Sequence, residues 1–558
     1  MSPQPRATRR AMLLSAAALA AGCEPAPRLQ GGWLGSTEAR GHALRDGRWP
    51  PSAGADAPQR CSVAIVGAGV AGLAAARALQ RRGVDDFVLF DLEDEPGGNA
   101  RGHAMGGLAC PLGAHYLPVP GPAAWEVRDW LLEIGVARRR FGRIEYDERH
   151  LCHAPQERLF MPGRDGSSTG GQWLPGLMPV QGDPRLLRVE ARRLAAEVRR
   201  HQAAGAFAMP TLRAPWTAEL AALDAQPFAT WLAAHGYTEP ALRWHLDYCC
   251  RDDYGAGSAQ VSAWAGLHYF ASRHGFHAQG PDNTGLDEAD DGDGVLTWPE
   301  GNAWLTRRLA AGLGDRLRTA TAVTRISPGK HGVDLHTWHV PTQQAQRWQV
   351  RQVLLCLPLH VAARLIDPPP AALAAAAARL PHAPWLVSNL HLKAPLLERL
   401  GPPMAWDNVL AGQPSAGLPP ALGYVNAAHQ SLASRPQAPV LTHYWALGGD
   451  TPEQARQWRR ELLAQPWQTW AQHVLADLAR AHPDLPSKVA RIDLMRYGHA
   501  MGVPVPGVRG DVATGALAAL ARPQDRLHFA HADLSGYSVF EEAFTRGTLA
   551  GEAAAGRG

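Results

Sequence analysis

Of the 55 basic residues in this 558-residue chain only three are lysines, Lys330, Lys393 and Lys488, and the others are all arginine. Chemistry that runs through a lysine amine therefore has few residues to draw on. Cysteine is scarce as well: Cys23, Cys61, Cys110, Cys152, Cys249, Cys250 and Cys356 are the whole set. None stands in a CxxC or in a Cys/His spacing that would hold zinc, and the adjacent Cys249 and Cys250 argue against a disulfide framework. No structural metal is expected. The net charge is only +4 and no basic stripe with interleaved aromatics occurs, which removes nucleic acid from the expected partners. Charged residues make up 19% of the chain against 46% hydrophobic, the reverse of the balance that disorder needs. The length allows two or more domains with full cores.

The apolar run Met12 to Ala21 is too short to span a bilayer comfortably as a helix, and it follows Arg6, Arg9 and Arg10. That order reads as an export signal over residues 1–23. The piece "TRRAMLL" resembles a twin-arginine signal, with Met12 where the pattern usually has Phe, and the resemblance implies export of an already folded protein. The following "LAAGC" resembles a bacterial lipoprotein cleavage site with Cys23 as the lipidated residue, while Ala18 and Ala20 offer an ordinary A-x-A site. The expectation is a periplasmic protein delivered by the export machinery, with a lipid anchor at Cys23 and simple secretion after the A-x-A site as the two alternatives. Residues 24–60, rich in Pro, Gly and Ala, read as a tether.

The stretch "CSVAIVGAGVAGLAAARALQRRGVDDFVLFD", Cys61 to Asp91, has the order strand, glycine turn, helix, strand. Gly67 permits a tight turn, Gly69 lets backbone approach a pyrophosphate, and Gly72 lets the helix pack close to the sheet. Asp91, at the end of the second strand, can accept hydrogen bonds from ribose hydroxyls. The motif binds a dinucleotide, and NAD and FAD both remain open at this point.

From about Trp125 to Gly294 several stretches, "PRLLRVEARRLAAEVRRHQ" and "QPFATWLAAHGY" among them, carry apolar residues at helical spacing. The aromatic face of "SAWAGLHYFASRHGF", with Trp264, His268, Tyr269 and Phe270, reads as core rather than pocket. The acidic "DEADDGDG" reads as a solvated loop, because Ala289 would occupy the first ligand position of a calcium loop ending at Glu300. Helix and strand patterns then return the chain to an α/β arrangement. The fold class expected is α/β, with a Rossmann-like cofactor domain in discontinuous segments (61–124, 295–370 and 491–558) and an α+β substrate domain inserted (125–294 and 371–490).

These blocks, in this order over roughly residues 61 to 555, resemble the flavin-containing amine oxidase superfamily, which also includes protoporphyrinogen oxidases and carotenoid desaturases. In that family a Gly-Gly pair follows the strand-end acid, and here "LEDEP" leads from Asp91 to Gly97 and Gly98. The next family residue is usually arginine, whereas this chain has Asn99 with Arg101 two places on. The resemblance implies that Val323, in "TAVTRI", lies against an adenine through its backbone. It implies that Asp533 holds the ribityl or pyrophosphate part, and that the helix beginning near Tyr537, Ser538, Val539 and Phe540 directs its amides at the flavin ring. Three separated segments closing over one long cofactor imply FAD, held non-covalently because no cysteine lies in the C-terminal block.

In the same resemblance "LGAHYLPVPG" passes beside the isoalloxazine, with Gly113 and Ala114 allowing close approach and His115 and Tyr116 facing the cavity as catalytic candidates. "RYGHAMGVPVPG" lines the other side, offering Tyr497 as a substrate contact and His499 as a further catalytic candidate. Many amine oxidases place a lysine near flavin N5. The corresponding strand here carries Val387, Ser388 and Asn389, so that lysine is missing and Asn389 is expected to meet the substrate. The implied activity is hydride removal from a carbon next to an amine nitrogen of a small molecule, with oxygen or a quinone as electron acceptor. The alternatives are a desaturase, isomerase or porphyrinogen oxidase acting on a large apolar substrate, and a flavin-binding protein without turnover.

Overall fold

The structure is a computed structural model that describes residues 29–35, 37–49, 57–163, 170–180, 182–273, 275–276, 294–412, 417–430 and 438–556. The export signal with Cys23 and the acidic loop at Asp287 lie outside the described residues. Among the described residues no helix is long and apolar enough to cross a membrane.

The runs Val63 to Val66 and Phe87 to Phe90 are apolar without alternation, as strands covered on both faces are, and all eight residues are buried. Each large side chain so buried contributes about 1.5–3 kcal/mol relative to exposure. The two strands pair in parallel, with Val63 opposite Phe87 and Val66 opposite Phe90. Strand Gln344–Leu355 lies parallel on the other side. Together with Leu317–Arg318, Val333–His339, Thr321–Pro328 and Leu527–Phe529 they make a seven-stranded sheet assembled from separated parts of the chain. This is the α/β class expected, with the glycine turn at the carboxyl end of strand Gln59–Val66.

The helix Val70–Arg81 that follows the turn packs against the C-terminal helix Phe540–Ala555. A Cβ placed on Gly547 would stand 2.0 Å from the carbonyl oxygen of Ala71, and one on Gly551 would stand 2.5 Å from that of Ala75. The helices therefore meet backbone to backbone, which draws the N-termini of both toward one place.

A second, eight-stranded sheet runs in the order Gln30–Leu34, Val489–Gly502, His382–Leu392, Val440–Ala446, Gly423–Asn426, Asp407–Leu410, Glu157–Met161, Gln172–Pro175. Leu187, Leu246 and Trp264, from the helices Pro184–Ala203, Pro240–Tyr254 and Ala263–Ala271, share one core with Val387 and Tyr444 of this sheet. Trp264, His268 and Phe270 are buried in that core as expected, with Tyr269 packed at its margin.

The expected tether over residues 24–60 needs correction. Gln30–Leu34 is an edge strand, paired in parallel with Arg491 to Met495. The helix Glu38–Arg45 follows, and its N-cap Thr37 donates through its amide and its hydroxyl to the Glu93 carboxylate, each at 2.8 Å. The glycines read as linker composition, yet Gly31 is required by packing, since a Cβ there would meet the Ile492 carbonyl oxygen at 1.7 Å.

Two glycine substitutions separate packing from propensity. Alanine in place of helical glycine gains about 1 kcal/mol where there is room, whereas overpacking costs about 1–3 kcal/mol. Gly41, in the helix Glu38–Arg45, has nothing within 4 Å of an added Cβ. Gly547→Ala is expected to melt several degrees below the parent and Gly41→Ala at or above it, as read by thermal denaturation.

Candidate active site

Between the two sheets lies a cavity of about 420 Å3. That falls within the ~300–1000 Å3 of most small-molecule sites. One end is a backbone cradle. Gly67, at φ +99°, turns the chain out of its strand, and its amide donates to the Phe90 carbonyl at 2.8 Å. Gly97 and Gly98 also have positive φ, and a Cβ on Gly98 would stand 3.2 Å from the Gly69 Cα. Two strips of bare backbone thus face each other where a phosphate bridge needs close approach.

Asp91 lines this end and accepts from the amides of Ala68 and Glu93, at 2.7 and 2.8 Å. Burial outweighs these bonds and pushes its carboxyl up to about 6. Two helix N-termini reach the same cavity: Val70–Arg81 through Gly69 and Val70, and Phe540–Ala555 through Ser538, Val539 and Phe540. Both present partial positive charge, suited to a pyrophosphate and to negative charge on a reduced flavin. The residues therefore fit FAD. Cys356 also lines the cavity, but burial raises its thiol so far that no thiolate is available for covalent attachment.

The loop Pro111 to Tyr116 crosses the cavity and is held from the eight-stranded sheet. Asn389 donates to the Pro111 carbonyl at 2.9 Å, Tyr497 to Leu112 at 2.6 Å, and Tyr444 to Gly113 at 2.9 Å. A Cβ on Gly113 would stand 2.2 Å from the Asn99 carbonyl oxygen, which instead accepts from the Ala114 amide at 2.8 Å. Tyr497 lines the cavity with its ring. Asn389 does not, a correction to its expected substrate contact: its amide oxygen accepts from the Thr442 hydroxyl at 2.7 Å, so both ends of the side chain are spent on structure.

Past this loop stands an aromatic box. His115 stacks on Tyr444 with ring centroids 4.4 Å apart, and Tyr116 and Trp406 lie at 4.8 and 5.4 Å. Enclosure pushes the His115 imidazole down to about 3. It is neutral at physiological pH, stacked on Tyr444, and its lowered pKa makes it a weak proton acceptor. Beyond the box the walls are acidic. Asp252 accepts from the Tyr116 hydroxyl at 3.2 Å, Asp407 from that of Tyr248 at 3.4 Å, and Asp253 pairs with Arg273 at 3.0 Å. Burial, then the neighbouring Asp253, pushes Asp252 up to about 7. Burial also raises Glu541 to about 7 despite Arg273. Asp407 is raised well above the carboxylate range by burial, by Glu157 directly opposite it in the sheet, and by Asp252.

The remaining expected residues divide. Asn99 lines the cavity and donates to the Ala500 carbonyl at 2.8 Å. Arg101 is buried, its Nε donating to the Gly98 carbonyl at 3.2 Å with Glu93 4.0 Å away, and it is not in the cavity wall. Val323 packs in the core of the seven-stranded sheet. Tyr537 also stands behind the wall, its hydroxyl donating to Glu542 at 3.1 Å, so its expected cofactor contact is corrected to a buttress. Asp533 is fully buried, and only its neighbours His531 and Ala532 line the cavity. Its carboxylate accepts from the Leu359 amide at 2.9 Å and His382 Nε2 at 3.0 Å. Burial opposes its charge, but His531 and His382 hold it ionised, well below the usual range. His499 lines the cavity in the company of His360 and His382, apart from the aromatic box. Partial desolvation against the wall and nearby Arg459 lower the pKa of its imidazole, although its outer side is exposed.

The acids were not anticipated from the sequence. The one available signal is Asp252–Asp253 on a helix whose last turns are otherwise buried. No lysine lines the cavity, in keeping with the missing amine-oxidase lysine.

A sequence search of curated proteins gives no match. Solved structures of the same architecture include putrescine oxidase bound to putrescine, at 17% identity and a TM-score of 0.62, covering 89% of this chain and 99% of that one. Cyclohexylamine oxidase from Brevibacterium oxydans IH-35A superposes with 18% identity and a TM-score of 0.58 over 89% of this chain and 99% of its own. A fatty acid isomerase from P. acnes that produces CLA gives 18% identity and a TM-score of 0.55 over 88% and 97%. The pattern of the flavin containing amine oxidoreductases matches residues 70–555, and with the glycine cradle, the two converging helix ends and the loop beside the aromatic box in place, the chain belongs to that family as an FAD-dependent, amine oxidase-like oxidoreductase.

Proposed function

We propose that the substrate is an amine with a second, remote cationic centre, a diamine or polyamine. The observation that carries this reading is the charge of the cavity beyond the aromatic box, where Asp252, Asp253, Asp407 and Glu541 face a single guanidinium, Arg273. Like charges placed opposite one another in a sheet, as Asp407 and Glu157 are, destabilise it, and a bound ammonium relieves that repulsion. An apolar substrate would leave Asp252 and Asp407 with only a tyrosine hydroxyl each and no ion pair of their own, which counts against the isomerase and desaturase alternatives.

The two ends of the site divide the work. His115, neutral, and the rings of Tyr444 and Tyr116 surround the reacting amine with uncharged surface, which favours the free base over the ammonium. The acids hold the remote ammonium and so set how far the reacting carbon reaches. FAD supplies the hydride acceptor, and oxygen or a quinone takes the electrons onward. The amine loses two electrons to become an imine, and water hydrolyses it to a carbonyl compound.

Two tests follow. With a diamine and the monoamine of equal length as probes, Asp407→Asn and Asp252→Asn are expected to raise KM for the diamine roughly tenfold to hundredfold, the equivalent of about 1.5–3 kcal/mol for a charged hydrogen bond, and to change the monoamine little. Equal losses for both would refute the assignment of the acids. The pH dependence has a defined sign. Asp252 and Glu541, at about 7 in the free protein, are protonated below that pH, while a bound ammonium draws them down. Diamine binding therefore weakens more steeply than monoamine binding as pH falls through 7, by up to a further tenfold per pH unit for each carboxyl, because the loss of the reacting amine's own proton is common to both.

We also propose that the chain is exported folded and anchored by lipid at Cys23, on the motifs of residues 1–23. Replacing both Arg9 and Arg10 by Lys is expected to retain the protein in the cytoplasm, and Cys23→Ala to move it from the membrane to the soluble periplasmic fraction. An unchanged distribution of the arginine variant would refute the export route, and an unchanged distribution of the cysteine variant would refute the anchor.

A further inference from the structure

Three histidines from distant parts of the chain converge at the seam between the two sheets. His360 stands in the first turn of helix Leu359–Leu365, His382 opens strand His382–Leu392, and His499 lies near the end of strand Val489–Gly502. A ring nitrogen of each is within 4.8 Å of one from both others, and among the described residues this is the one such trio of ligand-bearing side chains. Ring centroids are 4.7 Å apart for His360 and His499, 5.1 Å for His360 and His382, and 6.1 Å for His382 and His499.

Two independent features point to a ligand. His382 Nε2 lies 3.0 Å from the Asp533 carboxylate, so in the tautomer that donates to it Nδ1 keeps its lone pair. A carboxylate behind a histidine is the arrangement that orients metal-binding imidazoles and raises their basicity. His360 Nδ1 is buried and has no hydrogen-bond partner, an expensive state for a polar atom.

We propose that His360, His382 and His499 bind a zinc-class divalent cation, held by three imidazoles with a fourth position open on the side of the exposed His499. Bonds of about 2.0–2.1 Å in a tetrahedral site set the nitrogens roughly 3.4 Å apart, so the rings close by about 1 Å around the ion. Asp533 favours the cation, while Arg364, Arg459 and His531 face the cluster and oppose it. The bonds from three imidazole nitrogens therefore have to carry the affinity. The ion would join the segment leaving the seven-stranded sheet to two strands of the eight-stranded one, beside a cavity wall formed by His382, His499 and Ala500. Its role is to pin the seam, and it takes no part in electron transfer. The spacing of 360, 382 and 499 gives no local motif, which is why cysteine and histidine spacing predicts no metal here.

The test uses the untagged, flavin-loaded protein, stripped with chelator, equilibrated with zinc and dialysed, with zinc and flavin counted separately. About one zinc per chain is expected, with a rise in melting temperature. His499→Ala and His360→Ala are each expected to lose that zinc by at least tenfold in affinity, and His331→Ala, at an exposed site, to keep it. His499 is exposed, so its variant reports on binding even if His360→Ala fails to fold. A parent protein that retains well under one zinc, or His499→Ala binding zinc as the parent does, would overturn the proposal. The flavin count separates loss of metal from loss of cofactor.

Discussion

Three successive carbonyls, those of Pro111, Leu112 and Gly113, each accept a hydrogen bond from a side chain of the eight-stranded sheet. The donors Asn389, Tyr497 and Tyr444 come from three adjacent strands. The rest of the site depends on this seam. The loop belongs by sequence to the segment that begins with the glycine turn, so fixing its backbone fixes the relation of cofactor cradle to substrate cavity. The bonds also decide which way His115 and Tyr116 project. A loop free to shift would lose the box around the reacting amine, and a misplacement of about 1 Å is enough to cost much of a rate that rests on orientation.

The electrostatics follow from the same division. At the cradle end, helix N-termini and bare amides present positive potential, suited to phosphate and to a reduced flavin. At the far end, Asp252, Asp407 and Glu541 present carboxyls that burial has pushed toward neutrality. Between them stand rings and a neutral histidine. A dipolar cavity of this kind suits an anionic cofactor at one end and, at the other, the cationic substrate proposed above, without either charge compensating the other.

The sequence discloses what local spacing encodes. Gly67, Gly69, Gly72 and Asp91 form a motif because a strand, a turn and a helix must succeed one another within about thirty residues. Gly97, Gly98, Asn99, Gly113, Ala114 and the Ser538 to Phe540 corner were legible through resemblance, and all of them line the cavity. Sequence reasoning failed where a side chain's direction depends on its partner. Asn389 and Tyr537 are the right residue types at the right elements, but Pro111 with Thr442 and Glu542 with His268 take up their polar atoms. Composition misled at Gln30–Leu34, where Gly31 serves close strand pairing rather than slack. The acids escaped notice because Glu157, Asp252, Asp407 and Glu541 share neither motif nor period and meet only in the tertiary fold.

Their presence is costly in a way that bears on purpose. Buried carboxyls without cationic partners are among the arrangements that most often destabilise a fold, and apolar residues of similar size at such places are commonly neutral or stabilising. Two of these acids retain a tyrosine hydroxyl as donor, at 3.2 Å for Asp252 and 3.4 Å for Asp407. Those bonds offset part of the desolvation but supply no charge. A chain with three lysines and 52 arginines has cations in abundance, yet among the described residues only Arg273 reaches this wall. The structure thus keeps the far end of its cavity short of positive charge, and a cation arriving from outside recovers an interaction that the fold itself leaves unmade.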